Sequence, residues 1–214
     1  MLLQRTIREK IACEDIGLHS GERVKLELIP SPADTGIRFV RTDVETHDEL
    51  RASVSNLADT RLATTLGVGV NGSRVTISTV EHLMAALSGL GIDNLVVHVD
   101  GPELPIMDGS SSEFVRQLQA AGIEEQSRGK RFLVINKEVE VRDGDKFARV
   151  SPGSGLRIKC SLDFDHPLIS PQPFEFHFTE KAFVSELCRA RTFGFMKDVQ
   201  ALQANGLARG GSLD

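Results

Sequence analysis

Alternating apolar and polar residues predict strands through most of the amino-terminal half of the chain. In the clearest case Val24, Leu26 and Leu28 alternate with charged neighbours, which is typical of a strand with one buried face. Asn71-Gly72 predicts a tight hairpin turn. Residues 42–52 lack a pattern and are expected to form turns. The predicted strands are 4–12, 23–30, 37–41, 61–70, 75–77 and 95–99.

A helical pattern follows directly on the strand at 75–77. Val80, Leu83, Met84 and Leu87 recur at helical spacing and end near Gly89. Ser78, with Glu81 three residues later, predicts a capping box at the start of this helix. The opposite face carries no Lys, Arg or Gln, so we expect the helix to be covered on most sides. The residues of that face are Glu81, His82, Ala85 and Ala86.

A second helix is predicted over 113–121, because Phe114, Val115 and Leu118 share one face and Ser111 or Ser112 can cap its start. Polar residues at 122–131 then resemble a linker. Beyond them the pattern starts again. We expect strands at 132–141, 147–150, 156–162 and 174–178, a helix over 182–188 opened by Thr179 or Glu180, and a helical stripe of Phe195, Val199 and Leu202.

This order of elements predicts an α+β fold with two similar sheet-plus-helices domains. The first domain is expected over 1–126 and the second over 127–214, with the second one truncated.

Composition excludes several classes of protein. The 214 residues carry a net charge of −5, which gives no basic footprint for nucleic acid. The chain has no run of 18 apolar residues, and its first residues lack the long apolar core of a signal peptide. Cys13, Cys160 and Cys188 are scattered, which favours a reducing compartment. We therefore expect a cytoplasmic protein that is not an integral membrane protein and does not bind nucleic acid.

Glu81 and His82 are the first candidates for chemistry. Polar groups on a mostly buried helix need a metal, a charge or a substrate as partner. Alternatively, Glu81 only closes the capping box and His82 is a hydrogen-bonded core histidine. His19, in the glycine-bounded loop 15–21, is either a solvated loop residue or part of a site. Asp108 either forms a turn or holds a residue of the site in place, and the turn is favoured.

Five motifs together resemble one family, the zinc-dependent UDP-3-O-acyl-N-acetylglucosamine deacetylases of Gram-negative lipid A synthesis. They occur in order along the whole chain and are specific in combination. These motifs are Gly17-Leu18-His19-Ser20-Gly21, Ser78-Thr79-Val80-Glu81-His82-Leu83, Gly89-Leu90-Gly91-Ile92-Asp93-Asn94, Pro105-Ile106-Met107-Asp108-Gly109-Ser110 and Arg189-Ala190-Arg191-Thr192-Phe193-Gly194-Phe195.

The resemblance implies a hydrolase that removes acetate from a UDP-linked acylated amino sugar, the committed step of lipid A synthesis. It implies two α+β domains packed face to face, with the site between them. His82 matches a Zn²⁺ ligand, Glu81 the general base, and Thr192 the hydroxyl that contacts the oxyanion. Zinc with three protein ligands keeps an open position and lowers the pKa of its water to about 7.

The resemblance also implies the substrate contacts. An insert at about 192–214 forms an apolar passage for the acyl chain and includes Phe193, Phe195, Val199, Ala208 and Ser212. Leu18 and Leu62 line the same cleft, and His19 and Asp198 are polar groups near the substrate. Phe164 stacks on uracil, with Asp163 beside it. The expected partner is this small-molecule UDP-acyl-sugar, bound by a monomer.

The family's other two zinc ligands, a His and an Asp, belong to a later H-K-x-x-D-x-x-G-D helix, and a catalytic His follows it. Neither motif occurs in this sequence. We therefore expect the chain to be an amino-terminal fragment that is inactive by itself. The alternative is a non-catalytic module that binds a sugar nucleotide or a protein. A coding sequence that continues into the His-Lys-x-x-Asp helix would decide for the enzyme.

Overall fold

The computed structural model describes residues 1–45, 49–70, 73–164 and 166–212. The chain contains helices together with strands that form several separate sheets, which confirms the α+β class. The chain forms two compact units, the first made of 1–130 with 184–214 and the second of 131–183. Residues 184–214 therefore group with the first unit, whereas the predicted division placed them in the second domain. The face-to-face packing of two domains stays a prediction.

The central sheet of the first unit has five strands in the order β2-β3-β9-β4-β5. In β3 and β9 alternate side chains are buried, and Leu26, Leu28 and Val97 are fully buried. The predictions at 23–30, 37–41 and 95–99 are confirmed. The strands are β2 (Ile11–Ile16), β3 (Arg23–Pro30), β4 (Ile37–Arg41), β5 (Glu49–Arg51) and β9 (Leu95–Val99).

Two smaller sheets complete the strands of this unit. In one, β6 (Leu57–Asp59), β7 (Thr65–Val70) and β8 (Ser73–Ile77) are antiparallel neighbours. The predicted Asn71-Gly72 turn lies outside the described residues. In the other, β1 (Leu3–Ile7) pairs with β10 (Ile123–Gly129).

The predicted linker at 122–131 is wrong, because β10 occupies most of it. Its polar side chains are used in hydrogen bonds: Gln126 accepts from Asn94 Nδ2 at 2.7 Å and donates to the Ser31 carbonyl at 2.7 Å. The predicted boundary between 126 and 127 falls inside this strand. Residues 49–51, expected to be turn, form β5 on the edge of the central sheet. Three residues are too few to show an alternation.

Among the described residues, the α-helices of the first unit are α1 (Glu81–Gly89), α2 (Ser112–Ala120) and α4 (Met196–Ala204). The predicted apolar face of α2 is confirmed, since Phe114, Val115 and Leu118 are buried. Ser111, one of the two predicted cap residues, occupies the N-cap position, but its side chain makes no capping hydrogen bond. Ser111 donates its hydroxyl to the Cys188 carbonyl at 3.1 Å, and the Ser110 hydroxyl accepts from the Ser112 amide at 3.0 Å.

The second unit consists of two antiparallel hairpins followed by a short helix. The first strand begins at Val139, later than predicted, and Thr179 caps the helix as expected by accepting from the Ala182 amide. Phe176 and Phe183 are buried, whereas Phe147 and Phe174 are exposed. The elements are β11 (Val139–Asp143), β12 (Lys146–Val150), β13 (Arg157–Leu162), β14 (Gln172–His177) and α3 (Glu180–Ala182). A π-helical turn (Phe183–Leu187) follows α3 and leads into the part of the chain that belongs to the first unit.

Within the described part of the chain, every helix is too short or too polar to cross a membrane. The three cysteines are free thiols in different surroundings. Burial, followed by the charges of Glu113 and Asp15, raises the pKa of the Cys13 thiol to about 11. Burial also raises the pKa of the Cys188 thiol, which donates to the Val184 carbonyl at 3.1 Å.

These surroundings predict selective alkylation. At pH 8 iodoacetamide should label Cys160, which is exposed, before the other two thiols. Cys13 and Cys188 should react only after unfolding, because the thiolate is the reactive form and both pKa values are raised. Peptide mass spectrometry with and without urea measures this order, and Cys160→Ser is the control. Rapid labelling of Cys13 in the folded protein would contradict the prediction.

Candidate active site

Helix α1 begins with the two candidate catalytic residues, Glu81 and His82. The predicted capping box is wrong. Val80 occupies the cap position without a side-chain hydrogen bond, and the Ser78 hydroxyl donates instead to the Pro102 carbonyl at 3.3 Å. The turn before the helix is formed by Thr79, which is buried and has a left-handed φ of 57°. Ser78 is thereby still part of a strand-like bridge, and the helix starts later than the pattern suggested.

The side chain of Glu81 is held by the loop before β7. Its Oε2 accepts from the Thr64 amide at 3.0 Å, and Val80 N donates to the Thr64 carbonyl at 3.3 Å. Among the described residues, Glu81 Oε1 and the ring of His82 have no hydrogen-bond partner. Both side chains are half-buried. The roles of helix cap and of hydrogen-bonded core histidine are therefore not observed, and both residues can receive an external partner.

The cover of α1 is less complete than predicted. Leu83, Ala86 and Leu87 are buried, but Ala85 on the face of Glu81 and His82 is exposed. This face of the helix is therefore only partly covered among the described residues.

The loop that carries Leu18 and His19 is fixed by backbone hydrogen bonds. His19 N donates to Glu103 Oε1 at 2.8 Å, and the Leu18 carbonyl accepts from Gly210 N at 3.0 Å. The second bond brings Leu18 close to the segment that contains Ala208, which is buried and has a φ of 52°. Both ring nitrogens of His19 are buried and have no partner among the described residues.

Thr192 lies beside the turn that precedes α2. Its amide donates to the Gly109 carbonyl at 2.8 Å, whereas its hydroxyl makes none of the hydrogen bonds found among the described residues. Asp108 shapes this turn, as favoured from the sequence, by accepting from the Ser110 amide at 3.0 Å and from the Ser110 and Ser112 hydroxyls. Burial acts to raise the pKa of Asp108, but these hydrogen bonds outweigh it and the pKa is lowered.

The aromatic residues after Thr192 are close to one another. Phe193 and Phe195 make an edge-on contact at 5.6 Å between ring centroids, and 61% of Phe193 is exposed. Val199 and Asp198 both donate their amides to the Phe195 carbonyl at 2.9 Å, which opens α4. Asp198 and Ser212 are exposed. Phe195, Asp198 and Val199 thus meet at the start of α4, and Phe193 contacts the ring of Phe195.

The remaining predicted substrate residues are Leu62, Asp163 and Phe164. Leu62 is 60% exposed and has a φ of 63°, an uncommon conformation for a leucine. Strained residues of this kind cluster at functional sites. Asp163 and Phe164 belong to the second unit and follow β13, where Phe164 is half-buried and its carbonyl accepts from the His166 amide at 2.7 Å.

The described residues do not build a complete metal site. They contain no group of three or more His, Cys, Asp or Glu side chains that could hold an ion. His82 remains one candidate ligand by itself. Sequence reasoning also missed Glu103, a buried carboxyl group among the site loops, although its position between Pro102 and Pro105 after a buried strand could have drawn attention to it.

Comparison with known proteins decides the family. Residues 4–214 match the family of UDP-3-O-acyl N-acetylglycosamine deacetylases. The chain belongs to this family. Proteins named UDP-3-O-acyl-N-acetylglucosamine deacetylase are 48% identical in Shewanella halifaxensis, 46% in Syntrophus aciditrophicus and 51% in Myxococcus xanthus. These alignments cover 99 to 100% of this chain and 66 to 70% of each relative.

Membership confirms the predicted resemblance and the enzyme class, since the relatives are named as deacetylases and deacetylases are hydrolases. Within the deacetylase family, the roles of individual residues stay predictions.

Proposed function

We propose that this chain forms part of a hydrolase that removes acetate from UDP-3-O-acyl-N-acetylglucosamine, the committed step of lipid A synthesis. The observation that carries the proposal is the start of α1 in a chain of this family. Glu81 is anchored through one oxygen by Thr64, its other oxygen is free among the described residues, and His82 beside it is also free. A binding module would need neither feature.

Glu81 is proposed as the general base. Its anchored oxygen fixes the direction of the carboxyl group, and its second oxygen is available to take a proton. Thr192 is proposed to donate its hydroxyl to the oxyanion, from a backbone that is held independently at Gly109.

The substrate contacts are proposed along the surfaces described above. Leu18, Leu62, Phe193, Phe195, Val199, Ala208 and Ser212 would contact the acyl chain, His19 and Asp198 the polar parts, and Phe164 with Asp163 the uracil. The exposed Phe193 supports this assignment, because a large apolar side chain gains from being covered. We also propose a cytoplasmic location, which the three free thiols support, and a monomer.

Zn²⁺ is the proposed cofactor, with His82 as one ligand. The remaining ligands would come from the part of the relatives that this chain does not match, since the described residues offer no complete site. The test uses a completed protein, meaning residues 1–214 followed by the carboxyl-terminal part of the Shewanella halifaxensis deacetylase.

After dialysis the completed protein should retain about one zinc per chain and release acetate from the acylated UDP-sugar, and His82→Ala should lose the metal. Residues 1–214 alone should retain well under one zinc and show no turnover, because catalytic zinc sites need about three protein ligands. Elemental analysis and an acetate assay measure both. His98→Ala is the control, because His98 lies on strand β9 beside Glu27 and is not one of the candidate site residues. It should therefore leave the zinc content unchanged.

Two results would contradict this assignment. Stoichiometric zinc in 1–214 that depends on His82 would mean that the ligands lie within this chain. Binding of the UDP-sugar by the completed protein without any turnover would favour the binding module.

A further inference from the structure

Glu103 lies between the two segments that carry the amino-terminal site residues. It is only 3% exposed. Its backbone forms a bridge with Ser78, just before the turn that opens α1, and Pro105 forms a bridge with Gly17 at the start of the His19 loop. The segment from 103 to 105 therefore runs alongside both.

The side chain of Glu103 joins these two segments by three hydrogen bonds. Its Oε1 accepts from His19 N at 2.8 Å and from the Thr79 hydroxyl at 3.1 Å, and its Oε2 accepts from Ser20 N at 2.9 Å. His19 is 84 residues away in sequence and Thr79 is 24 residues away. Both oxygens must act as acceptors, because every partner is a donor.

The surroundings leave little freedom for another arrangement. A Cβ atom at Gly17 would lie 2.4 Å from Glu103 Oε2 and 2.4 Å from the Ser20 hydroxyl, so only glycine permits this approach. Thr79, whose hydroxyl donates to Glu103, has a left-handed φ of 57°. The His19 loop is also bound to Gly210, whose amide donates to the Leu18 carbonyl.

We propose that Glu103 is a positioning residue, which ties the His19 loop to the Thr79 turn and so sets His19 relative to Glu81 and His82. The imidazole of His19 has no hydrogen-bond partner among the described residues, so its place depends on the loop backbone that Glu103 holds. This inference rests on the proposed function, in which His19 and Glu81 act on one substrate.

The test is Glu103→Gln. A glutamine has one acceptor oxygen, and in either orientation its NH₂ group would face a donor, at Ser20 or at His19 and Thr79. Amide hydrogen exchange at His19 or Ser20 should become at least about tenfold faster. In the completed protein kcat/KM should fall about 10- to 100-fold, as expected when a substrate-contacting group is misplaced.

Asp93→Asn is the matched control. Asp93 also binds a backbone amide, that of Arg5 at 2.7 Å, and it pairs with Lys130, but it has no contact with the His19 loop among the described hydrogen bonds. It should lower the melting temperature to a similar degree and leave kcat/KM of the folded protein unchanged. Gly17→Ala provides a second variant if Glu103→Gln does not fold, and it should reproduce the loss because its methyl group displaces Oε2.

A double-mutant cycle separates positioning from general stability. In a His19→Ala background, Glu103→Gln should have little further effect on kcat/KM, because Glu103 acts through His19. Additive losses, an unchanged amide exchange, or a kcat/KM equal to that of Asp93→Asn would each overturn the proposal. A completed wild-type protein without turnover would refute the proposed function instead, and the exchange rates would still decide whether Glu103 holds the loop.

Discussion

Glu81→Gln is expected to lower kcat of the completed protein by about 10²–10⁴-fold, the usual contribution of a general acid–base group. Glutamine keeps an oxygen that can accept from the Thr64 amide, so the start of α1 should be preserved. It cannot take a proton, and the chemical step should fail for that reason. Steady-state kinetics with the acylated UDP-sugar measures the loss, and the zinc content should stay unchanged.

Glu113→Gln is a suitable control for this experiment. Glu113 occupies the first turn of α2, as Glu81 does in α1, and it is bonded to Arg116 away from the candidate residues. Both substitutions remove a charge from a helix start, which should cost each variant about 1 kcal/mol of stability or less. Only Glu81→Gln should lose turnover. A nearly normal kcat would limit Glu81 to its bond with Thr64.

Thr192→Ala is expected to lower kcat by about 10²–10³-fold while KM changes much less. A donor aimed at the developing oxyanion acts mainly in the transition state, and losing one such donor typically has this effect. The backbone should stay in place, because Thr192 N is bound to the Gly109 carbonyl independently of the side chain. The measurement is kcat and KM determined separately for the completed protein.

Thr192→Ser should restore most of the activity, since serine keeps the hydroxyl and loses only a methyl group. If the alanine variant changed KM alone, the hydroxyl would act in substrate binding and the oxyanion assignment would fail. If Thr192→Ser did not restore the activity, the loss would be due to the missing methyl group. This methyl group, Cγ2, lies near Gly109: a Cβ atom added to Gly109 would be 3.7 Å from it.

Elements with a strong local pattern could be predicted from the sequence. The strands at 23–30 and 95–99 bury alternate residues because one face of the central sheet is covered. Phe114, Val115 and Leu118 revealed the buried face of α2 in the same way. The family followed from short motifs in a fixed order, since such motifs need only local identity and no knowledge of packing.

Elements that depend on distant partners could not be predicted. Residues 123–129 have a polar composition, and they form a strand because their backbone pairs with that of β1. Ser78 and Glu81 have the spacing of a capping box, but Pro102 and Thr64 take their side chains instead. In both cases a hydrogen bond to a residue far along the chain outweighed the local preference.

The same distinction between local pattern and distant contact applies to the candidate site. The sequence by itself determined which functional groups are available, namely the Glu81-His82 pair, Thr192 and the Phe-rich segment after it. Only the tertiary structure decided that Glu103 joins His19 to Thr79, because three donors from two separate segments meet at one buried carboxyl group. Such convergence leaves no periodicity in the sequence, since each hydrogen bond depends on how the chain folds back on itself.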